Sequence, residues 1–381
     1  MDYLLTEEQV MIRDLCREIV EEKIIPVRAE LDESEEFPHD IVKVMKESDL
    51  FGVYIDEKYG GMGGGILDLC IVVEELSRGC AGIALAFAGT ALGVDPILVA
   101  ANDEQKERYL PRIVKGALCA YGITEPGAGS DASAIATTAK KDGDNYILNG
   151  TKCFITNGGE AEIYTIVAMT NKSKGARGAS MFIVDADTPG FTYGKKEEKL
   201  GIRASATREL IFQDCKVPAK NLLGKEGQGF ITAMKTFDMS RPGIGAQAVG
   251  IAQGALEAAL QYSKERVQFG KPVSSFQGLQ FMLADMATQV QAARALVYAS
   301  ARQIDAGVKD VTRTSSMAKM FASDVAMKVT TDAVQIFGGY GYIKEYPAEK
   351  FMRDAKITQI YEGTNQIQRS IIALDMIKKG F

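Results

Sequence analysis

The chain has 381 residues, 46% of them apolar and 25% charged, with 44 lysines and arginines against 50 acidic residues, a net charge of −6. That length exceeds one ordinary core and predicts two or three domains with the composition of a globular enzyme. The acidic balance excludes a general nucleic-acid binder, while leaving room for local basic residues around a phosphorylated cofactor.

In chain order, Thr6 with Gln9 forms a capping-box pattern, and apolar residues then recur at helical spacing up to Pro26. The opening residues are acidic and helical, unlike an export signal, so a soluble, cytoplasmic protein is expected. A second helix is expected over 40–48, and Gly60-Gly61-Met62-Gly63-Gly64-Gly65 reads as a flexible loop. Helices resume over 67–77 and again after Gly82. The stretch from Gly82 to Ala101 comes nearest to membrane-spanning length, but Asp95-Pro96 is expected to break it, so no membrane insertion is expected.

From residue 121 to 228 short β-branched runs and turn dipeptides replace the helical period. Residues 146–148 and 152–156 flank Asn149-Gly150, a hairpin signal, and further strands are expected over 163–169, 180–184 and 209–212. After Gly229 long amphipathic helices return and run to Lys379. The expected fold is α+β: an N-terminal helical domain over 1–120, a small β-barrel or sandwich over 121–228, and a four-helix bundle over 229–381. Such segregation excludes an alternating βαβ architecture.

Six cysteines stand singly, without a C-x-x-C pair, and the one histidine is His39. They predict free thiols in a reducing compartment and no metal site. Serine–histidine and cysteine–histidine catalysis would have to run through His39, in a polar loop before a helix, where a surface or capping role fits better. Catalysis is left to carboxylates or a cofactor.

Two stretches carry chemistry. In Ile360-Tyr361-Glu362-Gly363-Thr364-Asn365-Gln366 a carboxylate stands at a helix entrance, with Gly363 allowing close backbone approach and Thr364 able to cap. Alone, Glu362 reads equally as a base or as a solvated turn residue. Far upstream lies Tyr121-Gly122-Ile123-Thr124-Glu125-Pro126-Gly127-Ala128-Gly129-Ser130-Asp131. Residues 127–132 match G-x-G-x-x-A, but no helix opens after them, so the dinucleotide fingerprint fails on context.

Together these stretches resemble the acyl-CoA dehydrogenase family, its short-chain branch in particular, and the resemblance spans nearly the whole chain. It implies FAD as cofactor, with Tyr121, Ile123, Thr124, Phe154 and Thr156 at the flavin and Ser130 at both cofactor and CoA. Many relatives have tryptophan where Phe154 stands here; phenylalanine still offers a face. Arg266, in Lys264-Glu265-Arg266-Val267-Gln268-Phe269-Gly270, would hold the pyrophosphate, joined by Gln268, Phe269 and Gln277; without the resemblance it reads as a basic helix end. Gln335, Gly338 and Gly339 match the segment that reaches the FAD of a neighbouring subunit, and Thr364 and Gln366 its adenosine end. A homo-oligomer follows, most often a tetramer in this family.

The resemblance makes Glu362 the base that removes a proton beside the thioester. Tyr361 and Gly363 would flank that thioester, and Ser205, Asp238 and Arg241 would contact CoA. Asp95 departs from the short-chain pattern. It reads either as an N-cap, with Pro96 first in a helix, or as a second carboxylate facing the acyl chain, where Ala88, Gly89, Ala91 and Gly93 leave room for a ring. The implied activity is FAD-dependent dehydrogenation of a short, branched or alicyclic acyl-CoA, electrons passing to an electron-transfer flavoprotein. Butyryl-CoA dehydrogenation, or enoyl-CoA reduction in reverse, is the alternative. A non-catalytic CoA-binding protein would not need Glu362.

Overall fold

Thr6 and Gln9 close the expected capping box, each backbone N–H meeting the other's side-chain oxygen at 3.2 Å. The structure, a computed structural model, describes residues 3–380; Met1, Asp2 and Phe381, at the limits of the expected first and third domains, lie outside it. The box opens α1 (Glu7–Ile19), which widens into a π turn at Val20–Ile24. Then come α2 (Arg28–Ser34), absent from the sequence reading, and α3 (His39–Glu47). The glycine run is no flexible tether. A Cβ on Gly61 would lie 1.9 Å from the Ile55 carbonyl oxygen, so the run folds back on its own backbone where only glycine fits.

Three helices complete this part: α4 (Ile66–Gly79), α5 (Ala81–Ala100) and α6 (Asp103–Val114). Here the expectation at Asp95-Pro96 fails, because both lie inside the continuous α5 and neither breaks nor caps a helix. Pro96 leaves the Leu92 carbonyl without its helical donor. Packing outweighs that loss, since α5 is buried along most of its length. By length and composition alone α5 could cross a membrane; it serves instead as a largely buried core helix.

The strands begin at Cys119 and end at Leu223: β1 (Cys119–Gly122), β2 (Thr138–Asp142), β3 (Asn145–Thr156), β4 (Ile163–Met169), β5 (Ala179–Asp185), β6 (Phe191–Lys196), β7 (Thr207–Pro218) and β8 (Leu222–Leu223). They form one sheet in the order β6-β7-β3-β2-β4-β5-β8, with β1 parallel to β4. Asn149-Gly150 is not a hairpin turn. Both lie within β3, where the register against β7 shifts. Gly150, at φ +146°, passes so close to Thr137 that a Cβ would sit 2.7 Å from its Cα. Asn149 exchanges two hydrogen bonds with Asp214, at 2.8 and 3.1 Å, bridging the bulge. The actual β2–β3 turn is at Gly143, φ +57°.

The last part holds five helices rather than four among the described residues. They are α7 (Gly229–Glu265), α8 (Gln277–Asp305), α9 (Thr312–Phe337), α10 (Ala348–Thr358) and α11 (Asn365–Lys379). Between α7 and α8 a two-stranded hairpin pairs Val267–Gln268 with Lys271–Pro272. The central α7 packs against α4, α5, α8, α9 and α10, so both helical parts share one core. Asn157, fully buried, ties that core to the sheet: its amide donates to the Ala86 and Cys119 carbonyls and the Thr90 hydroxyl, each at 3.2 Å.

Candidate active site

A cavity of about 920 Å³ opens where α5, β1, β3, α7 and the α10–α11 turn converge. Its wall takes Tyr121 from β1, Ile123, Thr124 and Ser130 from the β1–β2 connection, and Phe154 and Thr156 from the end of β3. Arg241 comes from α7, and Tyr361, Glu362, Gly363 and Thr364 from the turn. Stretches more than 200 residues apart in sequence thus meet around one space.

Glu362 sits at φ +52° and Gly363 at +93°, a left-handed pair that a side-chain residue adopts at a cost of about 1–3 kcal/mol. The surroundings hold it there. Thr364 caps α11 by accepting the Ile367 amide at 3.3 Å. Gln368 donates its carboxamide to the carbonyls of Glu362 and Gly363 at 3.1 and 3.0 Å, and the Lys319 ammonium donates to that of Gly363 at 2.8 Å. Ser240 donates its hydroxyl to the Glu362 carboxylate at 2.5 Å. Burial pushes the carboxyl up to about 7; Ser240, Arg241 and Lys319 pull the other way without cancelling it. That value suits a general base at neutral pH.

Tyr121 and Tyr361 flank this carboxylate. The Tyr361 hydroxyl donates to Gln247, whereas the Tyr121 hydroxyl is sealed and meets no partner among the described residues. Arg241 is buried and paired with Asp238 at 3.0 Å, and Thr312 also donates to that aspartate at 2.6 Å. Asp238 therefore holds Arg241 from behind and does not line the cavity.

Contrary to the expectation of a carboxylate facing the acyl chain, Asp95 does not line the cavity; it is sealed within α5, 1% exposed, its Oδ1 without a hydrogen-bond partner among the described residues. Burial first, then the negative charge of Glu362, drives its carboxyl well above the usual range. Of the small residues expected to leave room beside it, only Ala88 and Gly89 line the cavity. Gly93 is there for close packing, since a Cβ would meet the Ala120 nitrogen at 2.7 Å. Ser205 also falls outside: it is 1% exposed with its hydroxyl sealed, so the expected CoA contact is not placed on the cavity.

Profiles for the acyl-CoA dehydrogenase N-terminal, middle and C-terminal domains match residues 6–117, 120–215 and 227–377. Acryloyl-CoA reductase (NADH) of Anaerotignum propionicum is 49% identical over 382 residues, covering 100% of this chain and 97% of that protein. The chain belongs to the acyl-CoA dehydrogenase family. Butyryl-CoA dehydrogenase of Megasphaera elsdenii superposes with a TM-score of 0.96 at 49% identity, over 99% of this chain and 100% of that one. A chain solved in work on the electron transferring flavoprotein of Acidaminococcus fermentans and flavin-based electron bifurcation matches at 51% identity and TM-score 0.97, over 100% of both chains. This chain is accordingly an FAD-dependent oxidoreductase.

The residues present fit a flavin. Phe154, at φ +58°, leaves a large aromatic ring 66% exposed on the cavity wall, a flat face without an aromatic partner among the described residues. Nearby, the Thr207 hydroxyl is buried on the same wall with no partner among the described residues. The remaining cofactor candidates fall elsewhere. Arg266, Gln268, Gly338 and Gly339 line a second cavity of about 500 Å³ that shares no wall residue with the first, with the Arg266 guanidinium 5.1 Å from the Tyr340 ring centre. Phe269 stands 92% exposed at the hairpin tip; Gln277, Gln335 and Gln366 are exposed and line neither cavity.

Sequence reasoning missed the supporting groups Ser240, Lys319, Gln368 and Lys152. Fully buried Lys152 donates to the Ile123 carbonyl at 3.1 Å and to Glu125 at 2.5 Å, while Glu125 accepts the Ala136 and Thr137 amides. This pair fixes the connection carrying Ile123, Thr124 and Ser130, and leaving either charge alone would cost about 3–5 kcal/mol. One signal was available: a lysine among small and apolar residues, as in Ser316-Met317-Ala318-Lys319-Met320-Phe321-Ala322, is badly placed for solvent.

Proposed function

We propose that the protein dehydrogenates a short, compact acyl-CoA, branched or alicyclic, between the carbons α and β to the thioester, with Glu362 as base. The observation that carries this reading is the Glu362 carboxyl poised near 7 on the wall of a cavity that also presents Phe154, Thr156 and Tyr361. FAD, when bound, supplies the hydride acceptor, a role no side chain can fill. Glu362 takes the α-proton onto its carboxylate, and the positive charges of Arg241 and Lys319 keep a fraction of it ionised at neutral pH. Tyr361 and Gly363 border the reacting carbons, and Arg241 with Ser130 orients the CoA portion. Asp95, sealed behind the α5 side of the cavity with its carboxyl biased toward the protonated form, would serve the acyl end only when ionised, accepting a proton from a ring carbon or binding a hydroxyl. A dicarboxylate such as glutaryl-CoA is disfavoured there.

Electrons leave to an electron-transfer flavoprotein, which the likeness to the Acidaminococcus fermentans chain supports. A homo-oligomer, a tetramer by family habit, is supported by the second cavity, whose Arg266, Gln268, Gly338 and Gly339 stand apart from the first. Reduction of an enoyl-CoA is the second reading, favoured by the 49% identity to an acryloyl-CoA reductase. The test is flavin bleaching of the purified holoenzyme by butyryl-, isobutyryl-, cyclohexanecarboxyl- and cyclohexenecarboxyl-CoA. Faster bleaching by a ring thioester supports the substrate assignment; bleaching by butyryl-CoA alone overturns it and leaves a short-chain enzyme.

A further inference from the structure

Lys319 is an unusual resident of α9. It is 0% exposed, and its ammonium donates to the Gly363 carbonyl at 2.8 Å and the Asn365 side-chain oxygen at 2.9 Å, with no direct ion pair among the described residues. A buried ammonium needs a counter-charge, and the carboxylates that act on this one are Glu362 and, more weakly, Asp324. The Asp324 carboxylate is already engaged by the Asn365 amide at 2.7 Å and by Arg369 at 2.6 Å.

We propose that Lys319 is a positioning residue for the base, fixing the left-handed Glu362-Gly363 turn through the Gly363 carbonyl and supplying the buried positive charge that keeps the Glu362 carboxylate ionisable. The inference rests on Glu362 being the base and adds what makes it serviceable in an apolar site. Gln368 holds the Gly363 carbonyl too, and that of Glu362, but carries no charge, so of the two side chains anchoring these carbonyls only Lys319 is electrostatic. Other groups also bear on Glu362. From α7, Ser240 donates to it, and Arg241 acts on it with its own charge partly answered by Asp238. From α5 comes Asp95, from β1 Tyr121, and alongside it Tyr361. Arg241 is thus compensated by a contact carboxylate, while Lys319 has only neutral hydrogen-bond partners. Burial depresses the Lys319 ammonium to about 7, with the charge of Glu362 pulling the other way and favouring the protonated form.

Removing the cation should raise the pH at which Glu362 becomes a base. Lys319→Gln keeps a donor for the Gly363 carbonyl and loses the charge; Lys319→Met loses both. With holoenzyme and butyryl-CoA, the midpoint of the rising pH–rate curve for flavin reduction should move up by roughly one unit in both variants. The high-pH plateau should fall about tenfold in Lys319→Met only, since loss of the anchor misplaces the carboxylate. The carboxyl band of Glu362, followed by infrared difference spectroscopy against Glu362→Gln, should titrate with the same shift. FAD content and melting temperature record folding. If the lysine variants do not fold, Gln368→Leu removes the neutral anchor alone and should lower the plateau without moving the midpoint. An unshifted midpoint in folded Lys319→Gln, or a midpoint that moves in Gln368→Leu where the lysine variants are lost, overturns the proposal. Flavin reduction surviving in Glu362→Gln overturns the base assignment instead, so the two failures are distinguishable.

Discussion

Two carboxylates, half-buried Glu362 and fully buried Asp95, lie close enough for the charge of one to act on the other, and their surroundings differ in kind. Glu362 sits on a turn held by Thr364, Gln368 and Lys319, takes a hydrogen bond from Ser240, and feels two cations. Asp95 sits mid-helix with one oxygen unpartnered and only the negative charge of Glu362 acting on it besides burial. Burial raises both; only Glu362 has donors and cations to bring it back to about 7. The comparison teaches that residue type assigns no role. The first is poised near 7 to work as a base and the second is biased toward its protonated form, and pairs of titratable groups pushed apart in this way are how one site divides proton chemistry.

The largest expected effect breaks the comparison at Glu362. Glu362→Gln should lower flavin reduction by about 10²–10⁴-fold or more while FAD and acyl-CoA binding persist. Stopped-flow bleaching with equilibrium binding of a CoA thioester checks both, and near-normal bleaching would remove the base from this residue. In the wild type, the active form is the carboxylate. Its fraction falls as pH drops below about 7, so flavin reduction should decline about tenfold per unit well below that point and level off above it.

At Asp95 the expected effects are selective and of opposite sign in activity and stability. Asp95→Asn keeps the shape and loses the proton site, so turnover of ring or unsaturated thioesters should drop about tenfold or more while butyryl-CoA is spared. Stability should move the other way. A carboxyl whose folded pKa lies above its unfolded value of 3.8 binds its proton more tightly when folded, so stability falls as pH rises from the unfolded value toward the folded one. Asparagine has no such loss. The melting-temperature gain of Asp95→Asn should therefore grow as pH rises above about 4, and a pH-independent difference would contradict the buried, unpaired placement.

The same contrast marks what could be read from sequence. Motifs written in consecutive residues were legible: the Thr6–Gln9 box, the Thr364 cap and the helix–sheet–helix order all appear in the structure. Short-range signals failed where distant packing decided. Asn149-Gly150 reads as a turn, yet β7 pairs across it and Asp214 answers Asn149, turning it into a bulge. Asp95-Pro96 reads as a helix start, yet α5 is so buried that it runs straight through. Ser240, Lys319 and Gln368 act on Glu362 from α7, α9 and α11, and no spacing in one dimension reports that convergence.

The smallest expected effect sharpens the Glu362 side. Thr364 is the side-chain cap of α11, through the Ile367 amide at 3.3 Å, and its loss exposes one orphan donor at the helix start. Thr364→Ala should cost about 1 kcal/mol of stability. Lys319 and Gln368 still hold the Glu362 and Gly363 carbonyls, so the turn keeps its shape and flavin reduction should fall only a few-fold, with the pH midpoint unchanged. Chemical denaturation and the pH–rate curve of the variant check both parts. A midpoint that moves with the cap would mean that turn geometry, rather than the charges around it, sets the basicity of Glu362.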